Sequence, residues 1–237
     1  KQEQEKRDIL ILTATSGDTG KAALEGFKDV EGTNIMVFYP SEGVSPMQKQ
    51  QMQKQEGENV KVSAIYGNFD DAQSFLKRVF TNEEVNAYAN DKGVLFSSAN
   101  SINIGRLFPQ VAYYVSTYVS LVDNGAISEG EVFDVVVPTG NFGNILAGYF
   151  AKKMGVPIGK LICASNKNNV LADFFATGVY NMNREFYTTD SPSMDILLSS
   201  NFERFLFYVA GEDAEKVAQW EKELLETGRM AVSPQEL

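Results

Sequence analysis

Histidine is absent from this sequence of 237 residues. That removes Ser-His-Asp and Cys-His machinery, His-bearing zinc sites and any imidazole general base, and leaves acid–base work to Lys, Asp, Glu and Tyr. Cysteine occurs once, as Cys163. No intrachain disulfide can form, and the setting Leu161-Ile-Cys-Ala164 reads as a small buried hydrophobe in a reducing, cytoplasmic protein. Long apolar runs are also missing. The longest, Val111 to Val122, is broken by Ser116 and Thr117, and a membrane helix needs roughly 20 apolar residues. The opening Lys1-Gln-Glu-Gln-Glu-Lys6 lacks the basic-then-apolar profile of a signal peptide. Basic residues are scarce: 21 Lys+Arg against 31 Asp+Glu give a net charge of −10. Such a balance repels phosphate backbones and anionic membrane surfaces, so neither nucleic acid nor membrane is expected as a partner.

What is present is an ordinary globular composition, 43% apolar and 22% charged, enough for a sizeable core at this length. Strand-length runs of β-branched and apolar residues recur at Ile9–Thr13, Ile35–Tyr39, Val60–Tyr66, Val94–Ser97, Val132–Val137 and Lys160–Ala164. Helical patterns lie between them. Lys21–Phe27 would gather Ala22, Ala23, Gly26 and Phe27 on one face, and Asp70–Phe80 would gather Ala72, Phe75, Leu76 and Val79. Leu107–Val122 reads as a long apolar helix suited to burial between layers, and Ile145–Met154 and Val170–Phe175 as shorter helices. The Gln- and Lys-rich run Met47–Glu58 has the composition of a solvated helix face. Alternating strands and helices predict an α/β fold, three-layered and mostly parallel, with the sheets covered on both faces. A boundary near Ile104–Leu107 divides it into a smaller βα lobe, residues 1–106, and part of a larger lobe, residues 107–237. At the end of the chain, Ser233-Pro-Gln-Glu236 has capping-box spacing with Pro at the first helical position. A helix announced there with no body implies an internal portion of a longer protein.

Three strand-end loops carry the candidate chemistry. The first strand runs into Thr15-Ser-Gly-Asp-Thr-Gly20, a turn whose unpaired amides and helix dipole suit an anion. Its glycines, at 17 and 20 only, match neither the P-loop nor the dinucleotide fingerprint. The same turn reads equally as a helix cap in which Ser16, Asp18 or Thr19 satisfies the orphan amides. A second turn of this design, Pro138-Thr-Gly-Asn-Phe-Gly-Asn144, follows the fifth strand. In open α/β sheets ligands sit beyond the carboxyl ends of the strands, where such loops lie. The third, Ser97-Ser-Ala-Asn-Ser-Ile-Asn-Ile-Gly-Arg106, joins small polar residues to one arginine, whose planar fork suits an oxyanion, although surface pairing of Arg106 accounts for it as well. Together the loops point to phosphate binding without a metal cluster.

In four stretches the sequence resembles the threonine synthase family, pyridoxal-phosphate enzymes of fold type II (tryptophan synthase β-like). They are Ile11-Leu-Thr-Ala-Thr-Ser-Gly-Asp-Thr-Gly20, Asn100-Ser-Ile-Asn-Ile-Gly-Arg106, Val137-Pro-Thr-Gly-Asn-Phe-Gly-Asn144, and Pro192-Ser-Met-Asp-Ile196 continuing to Ser200-Asn-Phe-Glu-Arg204. Their order matches and the likeness covers nearly the whole chain, the last stretch being the most specific. The resemblance implies conversion of O-phospho-L-homoserine and water to L-threonine and phosphate, with the pyridoxal 5'-phosphate ring as electron sink. It places Gly140, Asn141, Phe142, Gly143 and Asn144 around the cofactor phosphate and Asp18 near the cofactor's 3-hydroxyl. It places Ser16, Thr19, Asn100, Ser101 and Arg106 on the substrate phosphate, with Asn144 also within reach of it. One departure is large: the family's Schiff-base lysine lies upstream of the Ser-Gly-Asp-Thr-Gly loop in a Phe-Lys-Asp context that nothing before Ile9 provides. Lys1 and Lys6 have the wrong neighbours, and Lys21 follows the loop. By this reading the chain is a central fragment, inactive alone. Two other readings remain: another fold type II enzyme, of dehydratase or cysteine-synthase type, which Arg106 disfavours, and a noncatalytic phosphate-binding module.

Overall fold

The computed structural model describes residues 7–42, 44–67, 69–233 and 235, so the capping box at Ser233–Glu236 and the lysines at 1 and 6 lie partly or wholly outside the described residues. The chain divides into two compact units, residues 1–103 and 104–237. Arg106 therefore lies in the second unit, and Asn100 and Ser101 in the first. None of the described helices is long and apolar enough to cross a membrane.

The first unit contains β1 (Asp8–Ala14), α1 (Asp18–Phe27), β2 (Thr33–Pro40), α2 (Pro46–Gln53), β3 (Val60–Ile65), α3 (Phe69–Thr81), α4 (Glu83–Asp91) and β4 (Val94–Ser97). Its sheet is wholly parallel in the order β3-β2-β1-β4. Side chains alternate across it with period two. Ile11, Ile35, Val37 and Tyr39 pack with Ala23 and Leu24 of α1 and Met52 of α2 on one face. Leu12 and Ala14 meet Ala72 and Leu76 of α3 on the other. The three-layer α/β class follows directly. One helical face differs from the expected one: α1 buries Gly20, Ala23 and Leu24, whereas Ala22 and Gly26 are exposed. The chain steps outward from β1 to β3 and then returns to the far side of β1 as β4. That reversal puts the switch point of the sheet at the carboxyl ends of β1 and β4, where two of the three loops begin and where ligands of open α/β sheets sit.

The second unit contains a 3-10 turn (Ile104–Arg106), α5 (Phe108–Asp123), β5 (Phe133–Pro138), α6 (Gly143–Lys153), β6 (Ile158–Ala164), α7 (Val170–Thr177) and β7 (Val179–Asn181). It continues through a 3-10 turn (Pro192–Met194), α8 (Phe202–Val209), α9 (Ala214–Thr227) and β8 (Arg229–Ala231). β5 and β6 pair in parallel, and β7 and β8 antiparallel. The core gathers Leu146, Phe174, Tyr180, Leu206, Leu224 and Met230. The expectation that α5 is buried between layers fails: only its Tyr114 is buried, while Phe108, Tyr113, Val115 and Val119 are exposed. Val132, Val136 and Ile162 are exposed as well. Among the described residues α5 packs chiefly against α6, through Tyr114, and its remaining faces are left open.

Candidate functional site

The turn after β1 is built by a residue that sequence reasoning passed over. The buried Thr15 hydroxyl accepts hydrogen bonds from the Gly17 and Gly20 amides, both at 2.9 Å, and so supplies the cap expected of Ser16, Asp18 or Thr19. The side chains of Ser16 and Asp18 are exposed at the surface of the turn. Gly17 adopts φ 147°, and a Cβ there would fall 2.3 Å from the Gln48 Oε1 atom. Gln48 is held by α2, where its amide N–H bonds to the Ser45 hydroxyl, and its side-chain amide donates to the Asp18 carboxylate. The N-termini of α1 and α2 thus share one polar cluster.

Asn100 joins the loop after β4 to this turn. Its Oδ1 accepts the Ala14 amide at 2.9 Å and its Nδ2 donates to the Ala14 carbonyl at 2.7 Å, so both ends of the buried side chain are engaged by β1. Ser101 is half-buried three residues before the 3-10 turn begins. Arg106, at the end of that turn, is solvent-accessible, yet desolvation by its surroundings lowers its pKa below the ordinary guanidinium value. A cation so penalised gains from an anion. Lys21, the lysine nearest the first turn, pairs with Glu25 at 2.8 Å on α1.

The turn between β5 and α6 has the opposite polarity to the first. Ser199 Oγ donates to the Gly140 carbonyl at 2.6 Å, and the Asn201 amide and Nδ2 both donate to the Asn141 carbonyl at 3.1 Å. Ser199 and Asn201 are buried. With these carbonyls held, the amides of residues 140–145 find no acceptor among the described residues, the first α6 bond of this kind running from Leu146 to the Phe142 carbonyl. Consecutive free amides at a helix start make an anion cradle. Phe142, at the N-cap, adopts a left-handed conformation with φ 63°, which costs a non-glycine residue of order 1–3 kcal/mol. Burial of its ring offsets this, with Phe202 at 5.1 Å and Phe205 at 5.5 Å between centroids. A phosphate suits this turn better than the first, whose Gly17 and Gly20 amides are already taken by Thr15.

Behind the cradle, burial raises the Cys163 thiol above its ordinary pKa and keeps it protonated, which makes it a poor nucleophile. Burial also pushes the Tyr114 phenol up to about 12. Between pH 10 and 12 the native state therefore holds a proton that the unfolded chain releases, and stability falls as pH rises. Allowing for solvent screening, a loss on the order of 1 kcal/mol is expected across that window. Urea denaturation at pH 9.5 and 11.5, with Tyr114→Phe as the reference that lacks this loss, checks it.

The Pro-Ser-Met-Asp-Ile segment proves to be an organiser. Asp195 accepts from the Thr189 amide, the Thr189 hydroxyl, Asn166 Nδ2 and Asn168 Nδ2 at 2.7 to 3.1 Å. Asn168 Oδ1 in turn accepts the Tyr187 amide. The loop after β6 and the segment 187–195 are thus folded about one carboxylate. Thr15, Asp195, Ser199 and Asn201 stand in or beside the motifs and Gln48 in the polar run Met47–Glu58, and only their partners in the fold reveal their work.

No family model matches the chain. Among curated proteins it is 46% identical over 219 residues to human (Homo sapiens) threonine synthase-like 1, an alignment covering 90% of this chain and 30% of that protein. It is 41% identical over 239 residues to threonine synthase of Saccharomyces cerevisiae, covering 97% of this chain and 45% of the yeast protein. The crystal structure of PLP-bound threonine synthase from Brucella melitensis superposes with a TM-score of 0.84 at 41% identity, covering 99% of this chain and 48% of that one. The α/β architecture is that of these enzymes, and this chain spans less than half the length of each relative. Along nearly its whole length, the chain is similar in sequence and in fold to threonine synthases.

Proposed function

We propose that this chain is part of a pyridoxal-phosphate-dependent lyase, a threonine synthase that converts O-phospho-L-homoserine and water to L-threonine and phosphate. The observation that carries the reading is the cradle of residues 140–145, with its amides open and its carbonyls held by Ser199 and Asn201. It has the donors that a phosphate monoester requires. When bound, pyridoxal phosphate supplies an electron sink for negative charge developing on substrate carbon.

The chain's own residues bind and orient. The amides of Gly140, Asn141, Phe142, Gly143 and Asn144 hold the cofactor phosphate. Asp18, steadied by Gln48, lies near the cofactor's 3-hydroxyl. The Ser16, Thr19 and Ser101 hydroxyls take the substrate phosphate, and Arg106 is its charge partner. Asn100, with both amide ends bonded to Ala14, contributes to substrate binding by holding the turn in place. An arginine in this role favours a phosphorylated substrate over the serine-type substrates of dehydratases or cysteine synthases, which have no second anion.

The test is phosphate release from O-phospho-L-homoserine, with threonine counted in parallel. The protein at its natural full length is expected to form both in equal amounts when loaded with pyridoxal phosphate. This chain by itself is expected to form neither, because no lysine upstream of the Ser-Gly-Asp-Thr-Gly loop stands in the family's Phe-Lys-Asp context; the run Phe27-Lys-Asp29 follows the loop. Turnover of serine in preference to O-phospho-L-homoserine by the full-length protein would sink the reading, as would phosphate release by this chain alone.

A further inference from the structure

Asn144 lies in the first turn of α6, exposed at the mouth of the cradle. Tyr114 of α5 reaches it from beneath: the phenolic oxygen lies 2.6 Å from Asn144 Oδ1 and 2.9 Å from the Asn144 carbonyl. The shorter contact has the length of an O–H···O bond and is short for N–H···O, which identifies the near atom of the amide as its oxygen. Asn144 Nδ2 is then directed away from Tyr114, and no acceptor meets it among the described residues. Burial keeps the phenol a donor by favouring its neutral form.

The ring itself has little freedom. Gly148 lies one turn after Asn144 on the same face of α6. A Cβ at Gly148 would fall 2.7 Å from Tyr114 Cε1 and Cζ. The bare glycine lets the tyrosine ring lie along α6, so that its hydroxyl ends at Asn144. Tyr114 is 6% exposed although the rest of α5 is largely open. This long apolar helix therefore buries one aromatic residue, and that residue ends in a polar contact with the cradle.

We propose that Tyr114 is a positioning residue for the phosphate cradle: its hydroxyl fixes the Asn144 side chain so that Nδ2 joins the backbone amides as a further donor to the cofactor phosphate. The inference rests on the reading of residues 140–145 as the cofactor-phosphate site. Without the hydroxyl the amide is free to turn its oxygen outward, toward the phosphate.

A double-mutant cycle on the full-length protein tests this, with the Kd for pyridoxal phosphate and the 31P resonance of the bound cofactor as readouts. Tyr114→Phe is expected to weaken binding about tenfold, the worth of one such hydrogen bond, and to move the 31P resonance. In an Asn144→Ala background the same substitution is expected to change the Kd by less than twofold. Equal weakening in both backgrounds would show that Tyr114 acts on general packing and would overturn the proposal. An unchanged Kd for Tyr114→Phe, with a weakened one for Asn144→Ala, would overturn it while leaving the cradle in place. Wild-type affinity and an unmoved resonance for Asn144→Ala would overturn the proposal while leaving the backbone cradle in place, whereas failure of the parent protein to bind pyridoxal phosphate would remove the cradle reading itself.

Discussion

Asn201→Asp is expected to cost the second unit about 2–4 kcal/mol and to lower its affinity for pyridoxal phosphate about a hundredfold. The substitution conserves shape and reverses chemistry. Asn201 is 1% exposed, and its Nδ2 donates to the Asn141 carbonyl. An aspartate turns an acceptor toward that carbonyl and buries a charge. The nearby Arg204, whose Nε donates to Asn201 Oδ1 at 3.2 Å, offsets part of the cost. The effect on affinity is electrostatic. Asn201 Nδ2 lies 3.4 Å from where a Cβ on Gly143 would sit, which sets a carboxylate beside the cradle. Two like charges about 6 Å apart at an effective dielectric near 20 repel by roughly 3 kcal/mol, or about a hundredfold in Kd. Chemical denaturation and cofactor titration measure the two effects separately. Asn201→Leu removes the donor without adding charge, and is expected to show a comparable stability loss with a smaller loss of affinity. Equal affinities for the two variants would contradict the electrostatic account.

The second large effect is expected at Asp195. Replacing it by alanine leaves four donors, from Thr189, Asn166 and Asn168, without their shared acceptor. Hydrogen bonds to a charged group contribute about 1.5–3 kcal/mol each, but neighbouring losses are not additive and this site is half-open to water, so a total near 3 kcal/mol is expected. The loss falls on one segment. Residues 187–195 have no regular structure before the 3-10 turn at Pro192, so limited proteolysis and amide exchange there should accelerate well before the unit melts. Asp195→Asn, which preserves the outline and one acceptor, is expected to recover part of the protection. Protection of residues 187–195 equal to that of the parent chain in Asp195→Ala would show that the carboxylate does not organise the loop.

Much of the architecture was legible in the residues. The six runs read as strands are β1 to β6, because β-branched residues in short apolar runs specify a pleated, buried segment whatever it pairs with. Two helices were legible in principle but escaped a search by apolar periodicity. Asn82 and Asp213 cap α4 and α9 and are followed by acidic first turns, whereas α4 buries only Ala89 and so has little apolar stripe to find. Both turns were visible as glycine- and hydroxyl-rich segments at helix starts, and their likeness to the threonine synthases was carried by contiguous motifs.

What the sequence by itself determined was local: strand and helix type, the positions of the turns, and a histidine-free set of Gly-, Ser-, Thr- and Asn-rich loops suited to phosphate. Only the tertiary structure decided which turn keeps its amides open. Thr15 closes the first from five residues away or fewer, whereas Ser199 and Asn201 hold the carbonyls of the second across 59 and 60 residues. Likewise Asn100 clamps Ala14 across 86 residues, and α5, apolar along its length, buries only Tyr114 among the described residues. The physical reason is common to all of these. Periodicity records which face of an element is buried, but a side chain that bonds a remote backbone group leaves no period behind, and its partner exists only once the chain has folded.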